Sequence, residues 1–148
     1  MPSAIGNAKS SHLGRGCVHA TVWFDGCCLG NPGPMGAGAV VQTDRERKVL
    51  RKPFGRGTNN QAEYHGLVLG LRHALAMDAD AVTVHGDSQL VLRQLSGEYA
   101  VKAPGLKALH EEAKGLLQRF SAVKLEWVPR EENAEADQAS RDALRRRD

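Results

Sequence analysis

Cys17-Val18-His19-Ala20-Thr21-Val22-Trp23-Phe24-Asp25-Gly26 reads as a β-strand, because β-branched and aromatic residues dominate it and the Asp25-Gly26 pair ends the run. Residues 1–16 before it are rich in Ser, Gly and Asn, with isolated Lys9 and Arg15. So little apolar surface cannot offset the entropy of ordering, and a flexible N-terminal tail is expected there. After the first strand, Gly30-Asn31-Pro32-Gly33-Pro34 marks a turn and Ala37-Gly38-Ala39-Val40-Val41-Gln42 a second strand. Val49-Leu50-Arg51-Lys52-Pro53-Phe54 is a third, whose proline favours a sheet edge or a strand end. Three strands in succession predict an antiparallel meander.

The pattern then changes period. Residues 60–77 carry Leu67, Val68, Leu71, Ala74 and Leu75 at helical spacing, with Gly66 and Gly70 on or near the same face. Each glycine costs about 1 kcal/mol relative to alanine inside a helix, so close packing on the sheet is the expected compensation. A short strand at 81–85, a short helix at 88–96, a loop at 97–105, a helix at 106–120, a strand at 122–128 and an alanine-rich helix at 133–145 follow. Hairpin-linked strands followed by strands alternating with helices predict an α/β fold. Its five-stranded mixed sheet, antiparallel in strands 1-3 and parallel in 1-4-5, would be flanked by about four helices.

The chain of 148 residues, 41% hydrophobic and 25% charged, fits one domain with a real core, expected over 17–145, with 146–148 a short basic and polar end. No apolar run approaches the roughly 20 residues that span a bilayer, and the start lacks the apolar stretch of a secretory signal. Three cysteines, two of them adjacent (Cys27 and Cys28), suggest neither a disulfide framework nor a zinc site. A soluble cytoplasmic monomer with free thiols is expected, with no membrane association and no obligate protein partner. The formal charge of +3 permits a nucleic-acid partner without requiring one.

Four acids fall at the ends of expected strands or in the first turns of expected helices: Asp25, Glu63, Asp87 and Asp137. Each has an ordinary local explanation. Asp25 could be a turn residue, Asn60 to Glu63 has capping-box spacing, Asp87-Ser88 could cap a helix, and Asp137 lies one turn after the cap candidate Asn133. As a set they mean more. Asp25 and Asp87 end strands that would be parallel neighbours, where ligand sites of such sheets lie, and Glu63 and Asp137 would project toward the same edge. Carboxylates crowded together repel unless cations bind, and hard oxygen donors favour magnesium or manganese over zinc. Two divalent ions about 3.5–4 Å apart would clamp an in-line displacement at phosphorus.

Phe24-Asp25-Gly26-Cys27-Cys28-Leu29-Gly30-Asn31-Pro32-Gly33-Pro34, then Thr58-Asn59-Asn60-Gln61-Ala62-Glu63, then Gly86-Asp87-Ser88-Gln89, then Trp127-Val128-Pro129-Arg130-Glu131-Glu132-Asn133 with Ala136-Asp137-Gln138-Ala139-Ser140, resemble the successive motifs of ribonuclease H of type 1. The resemblance runs from about Val18 to Leu144 in the family's order. It implies a ribonuclease H-like fold and metal-dependent endonucleolytic hydrolysis of the RNA strand of RNA/DNA hybrids, leaving 5′-phosphate and 3′-hydroxyl ends. Two Mg2+ ions, with Mn2+ as a substitute, would be held by the four acids. Asp25 would bridge both, Glu63 and Asp87 would complete the site on the leaving-group side, and Asp137 would help hold the ion that activates water. Asn31, Asn59, Asn60 and Gln89 match substrate-contacting positions, the amides suiting the hybrid's minor groove, and Arg56 and Thr58 resemble the pair that grips a DNA phosphate.

Two departures stand out. Many bacterial members carry a basic protrusion where this chain has only the short loop 97–105, with Lys102 its sole cation, and they place a histidine before the fourth acid where Val128 to Asp137 has none. Modest substrate affinity is expected, and Arg130 or Glu131 is a candidate for part of the histidine's role. A non-cleaving module for hybrid or double-stranded RNA, or another polynucleotidyl hydrolase or transferase on the same fold, are the alternative readings.

Overall fold

β1 (His19–Cys28) forms the middle of a five-stranded sheet of order β3-β2-β1-β4-β5. The computed structural model describes residues 17–145, so the N-terminal tail expected at 1–16 and the short end at 146–148 lie outside the described residues. β2 (Gly33–Gln42) pairs antiparallel with β1 and with β3 (Arg47–Gly57), whereas β4 (Ala81–Gly86) pairs parallel with β1 and with β5 (Ala122–Trp127). Helices α1 (Asn59–Ala76), α2 (Gln89–Ser96), α3 (Pro104–Leu117) and α4 (Ala134–Arg145) complete the chain, α4 being preceded by a 3₁₀ turn at Arg130–Asn133. The expected mixed sheet and four helices are present, and Pro53 lies on an edge strand.

Alternation along β1 sends Ala20, Val22 and Phe24 into a core with Tyr64, Leu67 and Leu71 of α1 and Val82 and Val84 of β4. α1 reaches the sheet through its two glycines: a β-carbon at Gly70 would stand 2.6 Å from Val22 Cγ1. α4 covers the other face of β2, where a β-carbon at Gly38 would stand 2.5 Å from the Ala136 carbonyl. Its buried Ala136, Ala139 and Ala143 keep that approach short.

Several boundaries differ from expectation: β2 starts at Gly33, inside the expected turn, rather than at Ala37, and β3 runs over Arg47–Gly57 rather than Val49–Phe54. β1 does not end at Asp25-Gly26 but continues to Cys28, because Gly26, Cys27 and Cys28 find ladder partners in Ala37, Gly36 and Met35 of β2. Gly26 is a close-approach residue rather than a turn residue, since a β-carbon there would collide with the backbone of Ala62. α3 starts at Pro104, inside the expected loop, because proline at the first helical position sacrifices no hydrogen bond. The loop before it shrinks to residues 97–103.

Candidate active site

The local explanations for the acids are largely taken by neighbouring residues. Thr58 caps α1: its Oγ1 accepts from Gln61 N at 3.2 Å, and Gln61 Oε1 accepts from Thr58 N at 2.8 Å. That capping box sits two residues before the one expected, and Glu63 is left without a capping role. Likewise Ser88, not Asp87, caps α2, accepting from Val91 N at 3.2 Å. Asn133 does not cap α4 with its side chain. It ends the 3₁₀ turn, fully buried, and its Nδ2 donates to the Phe24 carbonyl at 2.8 Å, tying the approach to α4 onto β1 beside Asp25.

Asp25, Glu63 and Asp87 converge. One carboxylate oxygen from each lies within 4.8 Å of the others, at the carboxyl ends of β1 and β4 and the first turns of α1. Asp25 is only 5% exposed. Glu63 Oε1 is buried with no hydrogen-bond partner, which is costly for a carboxylate unless a proton or a cation meets it. Burial first, and then the negative charge of Asp87, push Asp25 up to about 7, with Asp137 adding to the rise. Glu63 is raised well above the usual carboxylate range by burial and by Asp25. Asp87 is raised as well, burial again coming first, against the opposing pull of the Asn133 amide and the Arg130 guanidinium.

Asp137 adjoins this trio, near enough to Asp25 to raise its pKa. It lines the same cavity of about 910 Å³, and its Oδ1 accepts from Arg141 Nε at 3.2 Å one helical turn on. Asn59 also lines the cavity, and its backbone N donates to Asn31 Oδ1 at 3.1 Å, so two of the expected amides sit together at its rim. Asn60 lies in the first turn of α1 and Gln89 is the exposed first residue of α2. Arg56, near the end of β3, is exposed, and Thr58 is occupied by its cap.

Sequence reasoning missed part of this wall. Trp127, 50% exposed, lines the cavity and donates through Nε1 to the Asp87 carbonyl at 3.2 Å; Arg141 and Arg145 line it from α4. Only the Asp137–Arg141 spacing of four could have signalled that pair. The thiols of Cys27 and Cys28 are spent on backbone carbonyls, of Ser140 at 3.3 Å and of Gly57 at 3.0 Å. No histidine among the described residues lines the cavity. A donor set of carboxylates alone, crowded, with one oxygen orphaned, suits a hard divalent cation and not zinc.

Residues 23–143 match the family profile described as reverse transcriptase-like. The chain is 45% identical over 123 residues to the bifunctional protein Rv2228c of Mycobacterium tuberculosis, covering 81% of this chain and 34% of that protein. It is 39% identical over 131 residues to ribonuclease HI of Halobacterium salinarum, covering 87% of this chain and 65% of that one. This chain thus spans about a third of the first relative's length and under two thirds of the second's. The crystal structure of LC11-RNase H1 in complex with an RNA/DNA hybrid superposes with a TM-score of 0.78 at 33% identity, over 85% of this chain and 96% of that chain.

Proposed function

The chain belongs to the ribonuclease H family, and from that premise we propose that it is an endonuclease that hydrolyses the RNA strand of RNA/DNA hybrids, leaving 5′-phosphate and 3′-hydroxyl ends. The observation that carries the proposal is the convergence of Asp25, Glu63 and Asp87 around an orphaned carboxylate oxygen. A protein that only bound hybrids would have no physical reason to hold three acids so close that their ionisation is suppressed.

Asp25 would serve both ions, Glu63 and Asp87 would help hold the one on the leaving-group side, and Asp137 would help hold the one that activates water. Mg2+, with Mn2+ as a substitute, would supply Lewis acidity that activates water and neutralises charge at the scissile phosphate and the leaving 3′ oxygen. The remaining roles belong to the chain itself. Asn31, Asn59, Asn60 and Gln89 offer short amides to the 2′-hydroxyls and base edges of the hybrid's wide minor groove. Arg56 and Thr58 grip a phosphate of the DNA strand, and this contact sets the register in which the RNA strand meets the acids. Asn133 and Trp127 hold the backbone at Phe24 and Asp87, keeping two of the acids aimed. Arg130 lies on the cavity wall with its charge felt at Asp87, placed to take part of the role of the absent histidine.

Among the described residues no helix is long and apolar enough to cross a membrane. The proposed setting is the cytoplasm, with the protein acting as a monomer without an obligate partner. Incubation with matched RNA/DNA, RNA/RNA and DNA/DNA duplexes, with Mg2+, Mn2+ or chelator, tests the function. Metal-dependent cutting confined to the hybrid's RNA strand is the expected outcome; tight hybrid binding with no cutting in either metal would overturn it.

A further inference from the structure

β3 is the most basic element of the molecule. Its sequence Arg47-Lys48-Val49-Leu50-Arg51-Lys52-Pro53-Phe54-Gly55-Arg56-Gly57 holds five cations and no acid, more positive charge than the formal +3 of the whole chain, so the rest of the molecule is net acidic. All five are exposed. Arg47 pairs with Glu135, but Lys48, Arg51, Lys52 and Arg56 form no ion pair among the described residues.

Edge strands carry lysine and proline to discourage pairing with other chains, and β3 is an edge. That need explains Pro53 and one or two charges. It does not explain a cation at nearly every second position, because the opposite edge, β5, carries only Lys124, neutralised by Glu126 at 3.0 Å.

The direction of the strand supplies the occupant. β1 and β3 are both antiparallel to β2 and so run the same way, and through Gly38 the register sets Arg51 level with Asp25, with Arg56 beyond that level on the side of the carboxyl ends. The cations therefore pass the level of the site, from Arg56 beyond it, through Arg51 and Lys52 beside it, to Lys48 and Arg47 leading away, along an edge of roughly 35 Å. A duplex crossing the carboxylate end is too stiff to bend and follow them, whereas a single strand is not. Lys48 and Lys52 alternate with Arg47 and Arg51 across the strand, so cations flank the edge on both sides. Lys52 is further held with its Nζ 5.6 Å from the Phe54 ring centroid, and Phe54 in turn stacks on His65 of α1 at 3.9 Å.

We propose that the β3 edge is a phosphate track for single-stranded DNA continuing from the hybrid's DNA strand past the Arg56 contact. The inference rests on the hybrid-cleavage reading above. It gives this compact chain, which lacks a basic protrusion, a separate source of affinity at junctions between hybrid and single strand.

The test measures binding in chelator, by fluorescence anisotropy across a salt series, to one hybrid with blunt ends and to the same hybrid with a DNA overhang on either end. One overhang should tighten binding about tenfold and steepen the salt dependence by about two ions. The triple variant Lys48→Gln, Arg51→Gln, Lys52→Gln should lose that gain and still cut the blunt hybrid at the wild-type rate. A Lys52→Gln single variant, losing part of the gain, serves if the triple variant does not fold. Equal affinity and slope for blunt and overhanging hybrids, or full gain in the folded triple variant, would overturn the proposal, as would a triple variant that merely self-associates while binding overhangs normally. Failure of the wild-type protein to cut the blunt hybrid would instead count against the hybrid-cleavage reading.

Discussion

Gly66 of α1 lies against the carbonyl of Asp25 on β1: a β-carbon at Gly66 would stand 2.3 Å from that oxygen and 3.0 Å from the Gly38 carbonyl. Both obstacles are backbone in the centre of a sheet, so neither can give way. This contact sets how near α1 comes to β1, and hence how near Glu63, one turn earlier, comes to Asp25. Gly66→Ala therefore sets a gain of about 1 kcal/mol in helix propensity against a larger strain, with a net loss of about 1–3 kcal/mol expected. Thermal melts should show the lower stability, and titration with Mn2+ should show weaker binding. A stabilised variant with unchanged Mn2+ affinity would mean that α1 is not seated by this contact.

Folding of the metal-free protein should take up protons. Burial and neighbouring charge hold Asp25 at about 7 and Glu63 well above the ordinary carboxylate range. A folded-state pKa above the unfolded one gives stabilisation that is fully present below about pH 4 and is lost as pH rises through the folded value, here about 7 for Asp25. In chelator, the melting temperature should therefore fall by several degrees between about pH 5 and about pH 8. Asp25→Asn should flatten that fall, and Mg2+ should restore the wild-type protein at the upper pH. Identical pH profiles for wild type and Asp25→Asn would contradict the crowding of charge at the site.

Asn133 is buried and donates to the Phe24 carbonyl next to Asp25. Asn133→Ala removes this buried hydrogen bond and should cost about 0.5–1.5 kcal/mol by denaturant melts. Cleavage should fall more than hybrid binding, because the aim of Asp25 is disturbed and the groove amides are not. Equal losses in both would point to general unfolding rather than misplacement of the acid.

Arg56 is exposed with no ion pair among the described residues, as a residue reserved for a phosphate would be. Arg56→Ala should weaken hybrid binding and reduce its salt slope by about one ion. An unchanged slope would make it a solvated surface arginine.

The sheet order and the four helices were legible because period 2 and period 3.6 are written into short stretches such as Ala20-Val22-Phe24 and Leu67-Leu71-Ala74. The end of β1 was not. Asp25-Gly26 reads locally as a stop, yet β2 supplies a ladder beyond it and α1 demands a glycine there, both facts of tertiary structure. The Asn133 side chain was misread as a helix cap for the same reason, its partner Phe24 being distant in sequence. Three of the four acids converge as their strand and helix ends suggested. Asp137 also reaches the cluster, where it adds to the rise of Asp25, while its Oδ1 accepts from Arg141 Nε, a pair that no motif discloses. Trp127 opens a motif that resembles the family's and ends an alternating strand, but neither says what its indole N–H meets.

The central claim is that the buried carboxylate cluster carries hybrid cleavage, and single-turnover cleavage of an RNA/DNA hybrid in Mg2+ by wild type and Asp25→Asn tests it most directly. The wild-type protein should cut the RNA strand. Asp25→Asn should lose at least about a thousandfold in rate, roughly 4 kcal/mol of barrier, while keeping its fold by circular dichroism and its affinity for the hybrid in chelator. A folded Asp25→Asn protein that cuts at the wild-type rate would contradict the account.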